Sequence, residues 1–96
     1  MKAINWDYEK NIFLQTEKGI SFEVVTHYIE KGEILDIMEH PNKEKYPEQK
    51  LFVLNIEDYI YIIPFIENKN EIFLKTIMPS RKATKKYLRG NKNEEK

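Results

Sequence analysis

Apolar and polar positions along the first third of the chain predict one short strand and two short helices. The strand covers Ala3–Trp6, and Asp7 and Ser21 are suitable N-caps for the helices that follow. Gly19 and Gly32 are suitable helix ends, because glycine adopts positive φ without strain. Since the two helices are joined by a tight turn, they predict an αα-hairpin.

After Gly32 the spacing of apolar residues changes to the period of two that is typical of strands. Four runs rich in β-branched and aromatic residues follow, at 34–38, 51–56, 59–66 and 72–78. Short turns at 57–58 and 67–71 predict hairpins, so the runs form an antiparallel meander. Pro64 cannot donate a hydrogen bond to a neighbouring strand and therefore marks a bulge or an edge.

A third helix is predicted over residues 81–89, with Ser80 as its N-cap and Gly90 as its end. Its cationic residues gather on one helix face, and Ala83 and Tyr87 lie on the opposite face. We therefore expect this helix to pack on the sheet and to leave its cations in solvent.

Ninety-six residues with 41% hydrophobic content suit one domain with a single modest core. The predicted order of elements is β-α-α-β-β-β-β-α, an α+β fold with the helical hairpin packed on the meander. We expect the domain to cover residues 1–90 and residues 91–96 to form a flexible polar tail. No apolar run approaches the ~20 residues that span a bilayer. Residues 1–7 lack the apolar stretch of a signal peptide, so we expect a cytoplasmic protein.

Charge is unevenly distributed, although the formal net charge is zero. Residues 79–96 hold seven Lys/Arg against two Asp/Glu, whereas residues 1–78 hold nine against fourteen. A helix start beside cationic side chains favours phosphate, so the basic segment predicts an anion-binding region.

Several classes of chemistry are excluded by composition. Cysteine is absent, which removes disulfides, thiolate nucleophiles and Cys-ligated zinc. The two histidines show no recognised metal-ligand spacing, and three glycines build no Walker loop or dinucleotide-binding motif. We therefore expect neither a metal nor a cofactor.

The remaining candidates for chemistry are cationic, aromatic and imidazole side chains that we expect on one side of the sheet. They are His40, Lys45, Tyr46, Gln49, Lys50, Tyr59, Tyr61, Phe73, Lys75, Ser80 and Arg81. Such a set suits metal-free RNA cleavage: one group takes the proton of the attacking 2′-OH, another protonates the departing 5′-oxygen, and cations stabilise the phosphate. Aromatic rings beside cations also stack on unpaired bases.

Structural interpretations of the same residues compete with the functional ones. His27 lies inside the second helix, which favours a structural or solvent-exposed role, and His40 also suits a turn residue that hydrogen-bonds the backbone. Tyr59, Tyr61 and Phe73 suit ordinary sheet aromatics. Lys and Arg on one helix face commonly form a solvated surface.

Four segments, in their order and spacing, resemble the BrnT-type toxins. They are Ile4 to Asn11 with its Trp-Asp pair, the Gly-Ile-Ser-Phe-Glu run at 19–23, the acidic stretch with a histidine at 36–41, and Pro79 to Lys86 with its Ser-Arg-Lys-Ala-Thr run. The resemblance extends from Ile4 to about Leu88. It implies the compact RelE-like fold.

The resemblance also implies a function. It implies a ribonuclease toxin of a type II toxin–antitoxin pair, a hydrolase that inhibits translation until a DNA-binding antitoxin caps it in a hetero-oligomer. The antitoxin would be encoded by an adjacent gene. By position, the resemblance implies functional roles for His40, Lys50, Ser80 and Arg81.

We therefore expect a metal-independent endoribonuclease, with His40 as general base or acid and with Lys50 and Arg81 stabilising phosphate charge. Expected substrate contacts are Lys45, Tyr46, Tyr61, Lys75, Ser80, Lys82 and Lys85. One alternative is a non-catalytic module whose exposed sheet edge and basic helix dock an acidic protein; another is non-catalytic RNA binding. Catalysis requires the cationic start of the last helix to lie beside His40 in one pocket.

Overall fold

Helices and strands follow one another in the predicted order in the computed structural model, which describes residues 2–89. They are β1 (Ala3–Trp6), α1 (Tyr8–Lys18), α2 (Phe22–Glu30), β2 (Asp36–Glu39), β3 (Gln49–Ile56), β4 (Tyr59–Glu67), β5 (Glu71–Leu74), β6 (Met78–Pro79), α3 (Arg81–Thr84) and a π-helical turn (Lys85–Arg89). The predicted α+β class is confirmed. The two-residue strand β6 is an addition to the predicted order.

The six strands form one mixed sheet in the order β1-β5-β4-β3-β2, with β6 also paired to β4. Strands β2 to β5 pair antiparallel, as the predicted meander requires. However, β1 pairs parallel with β5, so the sheet is not purely antiparallel. The long connection from β1 through both helices and the meander allows this parallel pairing.

The last predicted strand, 72–78, is interrupted. Strand β5 ends at Leu74, and pairing with β4 resumes at Met78 in β6. Pro64 lies in β4 between the residues that pair with these two strands. Its carbonyl oxygen accepts a hydrogen bond from the Lys75 N–H at 2.8 Å, so this side of Pro64 faces the interruption. The prediction that Pro64 marks an edge is therefore confirmed for this short stretch of β4. Here no neighbouring strand within residues 2–89 pairs with Pro64 on this side, so its missing N–H costs no hydrogen bond.

The two N-terminal helices have the predicted caps. The Asp7 carboxylate accepts a hydrogen bond from the Lys10 N–H at 2.8 Å, and the Ser21 hydroxyl accepts one from the Val24 N–H at 3.2 Å. Gly19 ends α1 with φ of 67°. These caps satisfy backbone groups that a helix end leaves without partners.

A buried asparagine fixes the turn between the two helices. The Asn11 side chain accepts a hydrogen bond from the Phe22 N–H and donates one to Glu23 Oε1, each at 2.8 Å. This bond from Asn11 is the main cause that lowers the pKa of Glu23, because it stabilises the ionised carboxylate. Asn11 is only 4% exposed, so the bonds compensate for burying its amide.

The terminal helix differs from the single α-helix predicted over 81–89. Only Arg81–Thr84 are α-helical, and Lys85–Arg89 continue as a wider π-helical turn. Ser80 is the N-cap as predicted, accepting a hydrogen bond from the Ala83 N–H at 3.0 Å. The predicted end at Gly90 and the predicted tail lie outside the described residues.

The sheet lies between two unequal apolar layers. On one face, the helical hairpin packs against the main core, whose sheet residues include Phe52, Leu54 and Phe65. On the other face, α3 covers a smaller layer in which Val53 and Ile60 are fully buried. Within residues 2–89, no helix is long and apolar enough to cross a membrane.

Candidate functional site

The sheet face opposite the helical hairpin, which we call the groove face, carries the candidate site. Side chains alternate between the two faces of a strand, so Leu51 and Val53 of β3 point to the groove face while Phe52 points to the hairpin. Ile62 of β4 is paired with Val53 and therefore shares the groove face.

A groove of about 510 Å³ opens on this face beside the terminal helix. Most of its lining is apolar: Met38, Pro41, Leu51, Val53, Ile62, Met78 and Ala83. Its polar lining comprises His40, Ser80, Lys82, Lys86 and Tyr87. The structure thus brings His40 and the start of α3 to one groove, as the catalytic prediction requires, but the groove is more apolar than a phosphate site.

His40 is half-buried and its ring has a defined orientation. Its Nδ1 accepts a hydrogen bond from the Asn42 N–H at 3.0 Å, and its ring lies 4.6 Å from the Tyr46 ring, centroid to centroid. Because Nδ1 acts as the acceptor, the neutral imidazole carries its proton on Nε2. Nε2 is then a hydrogen-bond donor, which argues against the expected role of His40 as a general base in this orientation.

A second, smaller pocket of about 250 Å³ is formed by the long loop and the ends of β3 and β4. Its lining includes the predicted substrate residues Lys45 and Tyr46, together with Ile66. The Lys45 ammonium lies 5.4 Å from the centre of the Tyr46 ring. Since Tyr46 packs on His40, the two pockets lie beside each other and are separated by this pair of rings.

Thr84 positions the terminal helix on the sheet. It is 1% exposed, its Oγ1 accepts a hydrogen bond from the Ile60 N–H at 2.9 Å, and its hydroxyl donates to the Ser80 carbonyl at 2.7 Å. The hydroxyl therefore satisfies the Ile60 N–H of β4, which lies opposite Ser80, where the chain leaves β6 and begins α3. No pattern in the sequence distinguishes Thr84 as a buried residue.

The far end of the terminal helix is linked to the edge strand β2. The Tyr87 hydroxyl donates a hydrogen bond to Asp36 Oδ2 at 3.4 Å. Burial and then the negative charge of Asp36 raise the pKa of Tyr87, so the phenol stays protonated as a donor. The helix thus crosses the groove face from β6 to β2.

Four of the five cations in residues 81–89 separate into two pairs. All four side chains are exposed, but Lys82 and Lys86 line the groove, whereas Arg81 and Lys85 are absent from its lining. Within residues 2–89, none of the four forms a salt bridge. Arg81, expected to be catalytic, is absent from the groove lining that contains His40, and Lys82 and Lys86 are the cations of that lining.

Two predicted site residues lie on the wrong face of the sheet. Lys50 precedes Leu51 and Tyr61 precedes Ile62, so both point to the hairpin side and not to the groove face. Tyr61 packs against the main core. Successive side chains of a strand point to opposite faces of the sheet. A shift of one residue therefore places Lys50 and Tyr61 on the face away from His40.

Lys50 instead takes part in an electrostatic cluster at the sheet edge. It is the cross-strand neighbour of Glu39. The pKa of Glu39 is lowered mainly by a hydrogen bond from Lys43, and then by the charges of Lys43 and Lys50. The charge of Lys50 therefore acts on the Glu39 carboxylate in this structure.

Lys75 follows β5, and its ammonium lies 5.5 Å from the centre of the Phe73 ring. Phe73 is paired with Ile66, which lines the smaller pocket. Lys75 is absent from the lining of both pockets, so the structure places it near the site without bringing it to His40.

Among residues 2–89, no group of three or more His, Cys, Asp or Glu side chains is arranged to hold a metal ion. Comparison of the chain with protein-family models, curated proteins and solved structures finds no match. The resemblance to BrnT-type toxins therefore stays a prediction from the motifs.

Proposed function

We propose that the protein is a metal-independent endoribonuclease that acts in the cytoplasm as the toxin of a type II toxin–antitoxin pair. In this proposal the α+β domain is RelE-like, as the resemblance to BrnT-type toxins implies, and the inhibitor is an antitoxin encoded by an adjacent gene. The observation that carries the proposal is the joint presence of His40, Lys82 and Lys86 along one groove.

RNA would lie with a phosphodiester between the imidazole and the two ammonium groups. The 2′-hydroxyl loses its proton to solvent water as its oxygen attacks the phosphorus. The bond to the 5′-oxygen breaks and that oxygen takes up a proton from water, which leaves a 2′,3′-cyclic phosphate and a 5′-hydroxyl. Lys82 and Lys86 stabilise the negative charge that develops on the phosphate. Tyr46, beside His40, offers a ring on which a neighbouring base stacks.

The hydrogen bond from Asn42 to His40 Nδ1 suggests the role of the imidazole. In the resting orientation Nε2–H donates a hydrogen bond to a phosphate oxygen or to the departing 5′-oxygen. Base catalysis through Nε2 would require the proton on Nδ1, which would break the bond with Asn42. His40 is therefore assigned as a donor that stabilises the transition state.

Induction of the chain in a bacterium tests the function. We expect growth to stop and mRNA to be cut, and we expect His40→Ala to relieve both effects. His27→Ala is the matched control, because His27 is exposed on α2, an element of the opposite face, and this variant should remain toxic. Normal growth with intact mRNA at high expression of the wild-type chain would refute the proposal.

The assigned role of His40 is tested by His40→Gln. The glutamine amide N–H approximates the Nε2–H donor but cannot carry an acid–base proton at neutral pH. We expect His40→Gln to keep substantially more cleavage activity than His40→Ala. Equal loss in the two variants would instead assign proton transfer to His40.

A further inference from the structure

The apolar part of the groove has no role in the proposed RNA cleavage. Leu51 and Val53 are buried beneath it, while Met38 and Met78 are 41% and 42% exposed. Aliphatic side chains give neither the hydrogen bonds that a phosphate needs nor the aromatic planes on which bases stack. We infer that this groove binds an amphipathic segment of another protein, with a row of apolar side chains flanked by Asp or Glu.

Size and composition fit a row of apolar side chains. The groove volume of about 510 Å³ lies within the range of sites that enclose organic ligands. Met38 and Met78 have flexible, polarizable side chains that adapt to different apolar partners. Their exposure leaves apolar surface that a partner would remove from water.

Charge selects an acidic segment. Lys82 and Lys86 lie one helical turn apart along the groove, and neither forms a salt bridge within residues 2–89. Carboxylates beside the apolar row would pair with both ammonium groups, whereas a basic segment would be repelled. Complementary charge thus fixes the sign of the partner's flanking residues.

Two other occupants fit poorly. Residues 90–96 of this chain, Gly-Asn-Lys-Asn-Glu-Glu-Lys, contain no apolar side chain to fill the groove. A second copy docked groove to groove would bring two more lysines, and its groove lining within residues 2–89 holds no Asp or Glu to pair with them. A segment of a different protein remains.

The segment binds through side chains rather than by adding a strand to β2. The Ile37 N–H at the exposed β2 edge is already bonded to Asp36 Oδ1 at 2.8 Å. Since Asp36 also accepts from Tyr87, an added strand would have to displace a carboxylate held at two points. This arrangement protects the edge from backbone pairing.

Occupancy would also cover His40, which lines the same groove. The inference therefore rests on the proposed function for its consequence, inhibition of RNA cleavage. The binding itself is independent of that function, and the two are measured separately.

A peptide library displayed on phage tests the binding, with the full-length chain as target. We expect enriched peptides to combine spaced apolar residues with Asp or Glu. Charge reversal by Lys82→Glu with Lys86→Glu should weaken these peptides at least about tenfold, since a loss of ~1.4 kcal/mol has that effect. Lys10→Glu with Lys18→Glu on exposed positions of α1 is the matched control and should bind like the wild type.

Methyl resonances of labelled methionine locate the site. Met38 and Met78 should shift when an enriched peptide is added, and Lys82→Glu with Lys86→Glu should abolish the shifts. Enrichment of peptides without acidic residues, equal binding by the charge-reversed variant, or unmoved methyl resonances would each overturn the inference. A selection that enriches no peptide would also overturn the inference. This includes the case in which single-stranded RNA, but no peptide, shifts the Met38 and Met78 resonances. RNA cleavage by the free chain is measured in a separate assay. Loss of peptide binding can therefore be distinguished from loss of RNA cleavage.

Discussion

At the scale of single residues, one hydroxyl determines how the terminal helix meets the sheet. Thr84 is buried in contact with β4 and bridges the Ile60 N–H and the Ser80 carbonyl. It thus connects the N-cap of α3 to the strand that supports the groove. The position of Lys82 and Lys86 depends on this connection.

Replacement of Thr84 by valine removes the hydroxyl and keeps the shape. The buried Ile60 N–H then loses its partner, so we expect a loss of about 1–3 kcal/mol in the free energy of unfolding. Urea denaturation measures it. Thr16→Val, at an exposed position of α1, is the control and should change stability by less than about 0.5 kcal/mol. A Thr84→Val protein as stable as the wild type would contradict the role assigned to the hydroxyl.

The Asn11–Glu23 bond gives stability a defined pH dependence. The folded-state pKa of Glu23 is below its ordinary value of 4.5, so its contribution is complete above that value and is lost as pH falls through the folded-state pKa. Glu23→Gln should therefore be less stable than the wild type near neutral pH, and the difference should shrink as the solution is acidified. Thermal unfolding at several pH values measures this, with Glu17→Gln on α1 as control. If the stability difference between Glu23→Gln and the wild type does not change with pH, the negative charge of Glu23 does not contribute to stability.

At the scale of elements, the hairpin between β3 and β4 contains a strained turn. Glu57 and Asp58 have φ of 54° and 65°, the positive values that a two-residue type I′ turn requires. Asn-Gly is the preferred pair for such a turn, since side chains other than Asn and Asp are disfavoured at positive φ.

Glu57→Asn combined with Asp58→Gly should therefore stabilise the protein. We expect a gain of about 1 kcal/mol, which corresponds to a rise in Tm of roughly 4–8 °C for a domain of this size. Calorimetry measures the change. An unchanged or lower Tm would mean that the turn is not strained in solution.

Local patterns predicted most elements because each is determined by neighbouring residues. Asp7, Gly19 and Ser21 bound the hairpin helices where the sequence indicated. The interruption after Leu74 was missed, because apolar residues continue to Met78 and the pattern gives no sign of where pairing with β4 stops. The π-helical turn likewise had no sequence signal.

At the scale of the whole molecule, the two faces of the sheet carry different sets of residues. The hairpin face is filled by the main core, and the groove face combines His40, the paired cations of the terminal helix and an apolar groove. The sequence predicted that His40 and the start of this helix would meet. It did not predict that Lys50 and Tyr61 would face away, since the assignment of strand faces depends on register. Met38 and Met78 were missed because an apolar residue in a strand ordinarily indicates core.

The central claim is that the groove face cleaves RNA without a metal ion. Its most direct test is incubation of the purified chain with a synthetic RNA in EDTA, followed by identification of the product ends. The account predicts 2′,3′-cyclic phosphate and 5′-hydroxyl ends, with a rate about 100-fold lower in Lys82→Ala with Lys86→Ala and unchanged in Lys10→Ala with Lys18→Ala. Intact RNA, cleavage only with a divalent metal, or equal rates in the two double variants would contradict it.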